Sequence, residues 1–225
     1  MSTVIALVLG FAPSLIWLAF FLREDVHPEP RKMIAKTYIF GGLSAFAALF
    51  LEILVNQSLQ KVIITLPRLI EENLSVFIGF GVIEELVKFF FIYLVVRKSP
   101  YFDEPIDAMV YMVTGALGFA AAENLFLVFS GGQESIFLVI LLRFVGATLL
   151  HALSSAIVGH YWARGIRFNI EGKFIFAGLV LASIFHIIFN YLVSEFNNFL
   201  VYPTAFLAIL GFFVLYDFEE LKKMG

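Results

Sequence analysis

The chain of 225 residues contains no cysteine. Disulfides, thiolate nucleophiles and sulfur-ligated metals are therefore excluded, and the redox compartment is not legible. Charge is scarce as well: 15% of residues are Asp, Glu, Lys or Arg, against 61% hydrophobic. The formal net charge of −3 leaves no polybasic surface for nucleic acid or acidic lipid headgroups, so nucleic acid is not a partner. There is no H-E-x-x-H, no G-x-S-x-G and no pair of apolar runs each carrying an Asp, and neither an internal repeat nor a low-complexity tract. What is abundant is apolar bulk, with 28 Phe and a mean hydropathy of +0.94. A single soluble core could not hide this much, so the apolar solvent has to be lipid and the chain reads as a multi-pass protein of the cell membrane.

A hydrocarbon core of about 30 Å needs roughly 20 apolar residues per helix, and seven runs qualify. They lie at Val4 to Leu22, Ile34 to Val55, Leu74 to Val96, Ala108 to Phe129, Ile136 to Trp162, Phe174 to Leu192 and Phe199 to Tyr216. The linkers carry turn and charge signals, as in REDVHPEPRK and RKSPYFDEPID. Residues 56–73 are amphipathic and interrupted by Pro67, which predicts an interfacial segment. The first run lacks a basic flank and a small-residue cleavage site, so it is expected to stay as a helix. The predicted fold is all-α, a polytopic transmembrane bundle of about seven spans forming one membrane-embedded domain over 1–225.

Positive charge sets the expected orientation, because cytoplasmic loops keep Lys and Arg. With the N-terminus outside, eleven of the 15 basic residues fall on the cytoplasmic side, and only Lys61 and Arg68 fall outside. Lys88 and Arg143 lie within the apolar runs. The C-terminus is then cytoplasmic.

Ionisable groups inside those runs are the informative feature. The third run carries Glu84, Glu85 and Lys88, the fourth Glu123 and Asn124, the fifth Arg143, His151 and His160, and the sixth His186 and Asn190. On an insertion scale each charge costs roughly 2.5 to 3.5 kcal/mol at a helix centre, so these groups must face one another or a wet cavity. Glu84 and Lys88 share a helix face, as do His186 and Asn190, while Glu85 is turned by about 100° and can address a second neighbour. His151 and His160 are about two and a half turns apart and point to opposite faces, so His151 is expected in the site and His160 near the cytoplasmic interface. Counting from the outer ends, the groups are expected to meet in the outer half of the membrane.

Blander readings apply to each. Glu84 with Lys88 could be a structural ion pair, although one Lys cannot neutralise two adjacent carboxylates. Glu123 with Asn124 could be an interhelical hydrogen-bonding pair, and Arg143 is expected to snorkel to the interface. Asp25, Glu29, Asp103, Glu104 and Asp107 are assigned to solvated loops, with Asp107 able to cap the fourth helix.

Two carboxylates, an ammonium and two imidazoles in a partly dry site are the parts of a water-activating hydrolase. One glutamate would serve as general base, and His186 with Asn190 would donate to the oxyanion. A divalent metal such as zinc is the competing account, with His151, His186 and Glu84 as ligands. The first expectation is that no cofactor is required.

The runs IEELVKFF, RKSPYFDEPIDAMVYMVTGALGFAAAENL, RFVGATLLHALSSAIVGHYWA and FHIIFNYL resemble, in order, the motifs of the PrsW family of intramembrane proteases. EDVHPEP resembles that family's first cytoplasmic loop, and the resemblance extends from Glu24 to about Leu192. It implies a peptidase, akin to CAAX prenyl endopeptidases and bacteriocin-processing proteases, that clips a single-span membrane protein, typically an anti-sigma factor, near the extracytoplasmic face. By motif, Glu84 and Glu85 stand at the paired glutamates, Lys88 at the basic position, Glu123 and Asn124 at the second motif, His151 at the third, and His186 with Asn190 at the fourth. Where the prenyl endopeptidases show F-x-x-x-H, this chain has Phe119 and Glu123. The family has also been grouped with metallopeptidases.

The reading is an intramembrane endopeptidase with Glu84, Glu85, His151 and His186 as catalytic residues and Lys88, Glu123, Asn124 and Asn190 in support. Its partners are the substrate and the lipid bilayer. The alternatives are a proton-coupled transporter using the same Glu and His as a relay, and a scaffold in which they only fix helix packing.

Overall fold

The computed structural model describes residues 3–63, 72–130, 136–196 and 200–223, and these form eight α-helices. They are α1 (Thr3–Phe21), α2 (Arg31–Ile63), α3 (Glu72–Val96), α4 (Pro105–Ser130), α5 (Ile136–Val145), α6 (Ala147–Arg167), α7 (Glu171–Glu195) and α8 (Val201–Lys222). Counting α5 and α6 together, six stretches are long and apolar enough to cross a bilayer. The 25-residue α3 is of similar length but carries Glu84, Glu85 and Lys88 near its middle.

Two boundaries differ from the sequence expectation. Helix α2 continues past Val55 to Ile63, taking up the first part of the interfacial segment, whose remainder, from residue 64 to 71, lies outside the described residues. The fifth run is bent at Gly146, where φ is −106° and ψ is −102°. Hydrogen bonding continues through the bend, from Gly146 N–H to the Leu142 carbonyl and from Leu150 N–H to the Gly146 carbonyl, each 2.9 Å. Periodicity could not reveal this bend, because apolar residues flank it on both sides.

Helix α4 is the axle of the bundle. Its span is 72% buried, whereas the other five lie between 22% and 33%. Its neighbours approach closely because small residues line the contacts: a Cβ at Gly118 would overlap the Tyr38 carbonyl, and one at Gly41 would overlap the Gly115 carbonyl. Helices in lipid associate through this kind of close backbone packing, since hydrophobicity gives no preference for protein over acyl chain. Gly118→Ala is therefore expected to destabilise the fold by about 1–3 kcal/mol despite the better helix propensity of Ala. Gly172→Ala, with open space around the added methyl, is the control and should be neutral or stabilising. Thermal unfolding of both variants in detergent checks the sign.

Lipid-facing bulk is as expected: Phe46, Phe50, Phe90, Phe137, Phe176 and Phe212 are all more than half exposed. The loops are less solvated than expected. Asp25 is buried, with its carboxylate accepting the N–H groups of His27 (3.0 Å) and Glu29 (3.2 Å). Burial pushes its carboxyl pKa up against those two hydrogen bonds. Asp107 is also buried and caps α4 by accepting the N–H groups of Asp103 (2.9 Å) and Glu104 (2.7 Å). The Tyr111 hydroxyl donates to Glu29.

One end of the bundle gathers the first, third and fifth loops with the chain's last helical turn. Lys222 pairs with Glu24 at 2.7 Å, Arg97 with Glu171 at 3.0 Å, and His27 with Glu104 at 2.8 Å. Partly exposed pairs of this kind contribute at most about 1 kcal/mol each, so they fix the loops rather than the fold.

Candidate catalytic centre

Four helices bring the buried ionisable groups together. Lys88 is fully buried and would be intolerable unpaired, and its partner is Glu85 at 2.6 Å rather than Glu84. The i,i+3 spacing sets the two on one face of α3. Glu85, also fully buried, collects three more donors: Ser154 (3.0 Å), Ser155 (3.4 Å) and Nδ1–H of His186 (2.9 Å). Sequence reasoning passed over both serines, although they follow His151 at i+3 and i+4 and so share its face of α6.

His151 is held at both ring nitrogens. Its Nε2 lies 2.8 Å from Oε2 of Glu123, and its Nδ1 lies 2.9 Å from the Lys88 ammonium, which also sits 4.8 Å from the centre of the Phe119 ring. An ammonium can only donate, so the network assigns the proton to Nε2 and the lone pair to Nδ1. For His186, bonded to Glu85 through Nδ1, the lone pair falls on Nε2. Oε2 of Glu84 lies near both of these nitrogens, at 3.8 Å from His151 Nδ1 and 3.6 Å from His186 Nε2. That oxygen is buried and has no hydrogen-bond partner.

Arg143 does not snorkel. It crosses from α5 to α4, donating through Nε to Asn124 Oδ1 (2.6 Å) and through a terminal nitrogen to Glu123 Oε2 (2.9 Å). Asn124 continues the network to Thr148 Oγ1 at 3.4 Å and the Gly10 carbonyl at 3.5 Å. Glu123 thus ties α4, α5 and α6 together while keeping a side-chain exposure of 26%. Glu52 on α2, which sequence reasoning also passed over, lies within electrostatic reach of Glu123, Glu84 and Lys88. Its signal was a lone carboxylate in the apolar run LFLEILV.

Two other residues singled out in the sequence lie outside this network. Asn190 is half-buried and makes no hydrogen bond to the Glu and His cluster. His160, on α6, is 3% exposed beneath α8 and faces Asp217.

Depth follows from counting along each helix from the end where the loops pair. At about 1.5 Å per residue, Glu84 lies roughly 18 Å from Val96, His186 roughly 22 Å from Glu171, His151 roughly 24 Å from Arg167, and Glu123 roughly 27 Å from Pro105. Glu84 therefore lies at the midpoint of α3, and His186 and Glu123 lie past the midpoints of α7 and α4, away from that end.

One oxygen of Glu84 and one nitrogen each of His151 and His186 lie within 4.8 Å of one another. A carboxylate and two imidazoles are a donor set for a divalent transition metal. The surroundings fit as well: the second nitrogen of each imidazole is held by a carboxylate, Glu123 for His151 and Glu85 for His186, the support that metal-ligating histidines almost always have. The unpartnered Glu84 oxygen completes the fit.

The sequence pattern of the family described as "PrsW family intramembrane metalloprotease" matches residues 29–217. Curated relatives agree along nearly the whole chain. "Protease PrsW" of Oceanobacillus iheyensis is 27% identical over 215 residues, covering 95% of this chain and 94% of the relative. The protein of that name from Bacillus subtilis is 27% identical over 226 residues, covering 96% and 95%, and that from Clostridioides difficile is 24% identical over 192 residues, covering 82% and 77%. No solved structure matches. With six candidate spans and this likeness along its length, the chain is a multi-pass membrane protein and belongs to the PrsW family of intramembrane metalloproteases.

Proposed function

We propose that the chain is a metal-dependent endopeptidase that cleaves a single-span membrane protein, such as an anti-sigma factor, near the extracytoplasmic face. The observation that carries the metal-dependent reading is the convergence of Glu84 Oε2, His151 Nδ1 and His186 Nε2, each imidazole being backed by its own carboxylate. This reading replaces the metal-free one as first choice, because the family description and the donor set point the same way. The transporter alternative has no comparable support.

In this reading α3 is a seventh span, its charges hidden by α4, α6 and α7. The seven then alternate from an outside N-terminus to a cytoplasmic C-terminus, and the paired-loop end is cytoplasmic, in accord with its Lys and Arg. The catalytic centre, at or beyond the middle of its helices counted from that end, would then open toward the outer half of the membrane.

Bound at Glu84, His151 and His186, a divalent metal would supply Lewis-acid polarisation and a nucleophilic water at neutral pH. The chain's own groups do the rest. Glu85 and Glu123 fix the tautomers of His186 and His151. Lys88 neutralises Glu85 and donates to His151 Nδ1, a hydrogen bond it would give up if that nitrogen held a metal. Glu123 is the most exposed of the three glutamates and its Oε2 is held by Arg143 and His151, which leaves its other oxygen to take a proton from the attacking water and return it to the leaving amine. Asn190, one turn along α7 from His186, is free to donate to the tetrahedral oxyanion.

The test is co-expression with tagged single-span proteins, followed by assay of the purified pair. A fragment should appear with the intact chain, vanish after stringent metal stripping and return on adding zinc. Cleavage that survives verified metal removal would exclude the metal-dependent mechanism. The absence of any chain-dependent fragment across a set of single-span candidates would count against that substrate class.

A further inference from the structure

A second cluster lies outside the catalytic centre, where the C-terminal half of α6 meets the end of α8. His160, Asp217 and Glu220 each bring one nitrogen or oxygen to within 4.8 Å of the other two. Asp217 and Glu220 are one turn apart and share a face of α8. His160 is 3% exposed, and its Nδ1 is buried without a hydrogen-bond partner while facing Asp217 Oδ1 at 3.8 Å, too far for a hydrogen bond. A buried imidazole nitrogen is normally satisfied, and one left open toward two carboxylates leaves room for something between them.

Neighbouring cations do not fill that room. Lys222 is engaged with Glu24 and Glu219, each at 2.7 Å. Arg164, one turn beyond His160, lies over the Phe174 ring at 6.0 Å and forms no ion pair with Asp217 or Glu220 among the described residues. Its charge reaches Asp217 only at longer range. Two carboxylates against one offset guanidinium leave the cluster short of positive charge.

We propose that His160, Asp217 and Glu220 form a second divalent-cation site, which fastens the C-terminal helix α8 to α6. One imidazole nitrogen and two carboxylate oxygens suit zinc or manganese, and the nitrogen disfavours magnesium and calcium. The site stands apart from the catalytic cluster, sharing only α6 with it. Bound metal there would act on the docking of α8 and not on the chemistry.

Zinc titration of the chelator-stripped full chain in detergent, followed by calorimetry and thermal unfolding, tests this. The unaltered chain is expected to take up two equivalents, Glu84→Gln one, and Glu84→Gln combined with Asp217→Asn none. The zinc-dependent rise in unfolding temperature that persists in Glu84→Gln should disappear when Asp217→Asn or Glu220→Gln is added. Both positions are half-exposed, so the second substitution serves if the first folds poorly. Asp217→Asn and Glu220→Gln both retaining full zinc capacity would overturn the proposal, as would a Glu84→Gln chain that takes up no zinc. Failure of the catalytic metal reading looks different: the unaltered chain and Glu84→Gln would then bind equally.

Discussion

Glu84→Gln is expected to lower cleavage by about a thousandfold while leaving the protein as stable as before, or more so. The carboxylate is 9% exposed, and one of its oxygens has no hydrogen-bond donor. Keeping a charge there works against folding, because the desolvation of that oxygen is not repaid by a hydrogen bond. Gln keeps the shape, removes the charge and offers a poor metal ligand, so activity and the catalytic metal are lost together, lowering metal content by one equivalent, while the helices stay packed. Cleavage rate, metal content and unfolding temperature measured on one preparation check the three parts. A Glu84→Gln protein that still cuts at a tenth of the normal rate would remove Glu84 from the reaction.

The neighbouring residue should respond in the opposite sense. Glu85→Leu leaves the ammonium of Lys88 fully buried without its carboxylate, and also strips the acceptor from Ser154, Ser155 and His186. Breaking a buried pair from one side costs about 3–5 kcal/mol. A large fall in unfolding temperature and in yield is expected. Adding Lys88→Met should recover most of the stability and none of the cleavage, since His186 then lacks the group that sets its tautomer. If the single and double variants unfold at the same temperature, Glu85 and Lys88 are not coupled as the 2.6 Å contact indicates.

Much of this centre was legible in the sequence because hydrocarbon penalises charge. Glu84, Glu85, Lys88, Glu123, His151 and His186 stood out as ionisable groups within apolar runs, and the structure brings all six together. Pairing within the cluster was not legible. Spacing puts Glu84 and Lys88 on one face as readily as Glu85 and Lys88, and only the positions of α6 and α7 decide between them. Arg143 was misread because, near a helix end, the water interface competes with a carboxylate on another helix, and hydropathy holds nothing about the second. His160 was placed by its distance from the end of its run, yet α8 covers it. The identity of the buried helix was also out of reach: α4 is only slightly less hydropathic than the other candidate spans, and its central position comes from glycines and alanines that let its neighbours in.

Before a metal binds, three glutamates, Glu84, Glu85 and Glu123, cluster where α3, α4, α6 and α7 meet, and among the described residues one ammonium and one guanidinium pair with them. In a medium of low permittivity that excess of negative charge acts over a longer range than it would in water. That excess should draw in a divalent cation first, and once one is held at Glu84, His151 and His186 the balance turns positive, so stretches of polypeptide bearing aspartate or glutamate near the scissile bond should be favoured over basic ones. Discrimination of that kind needs no specificity pocket and would come from the catalytic groups' own field.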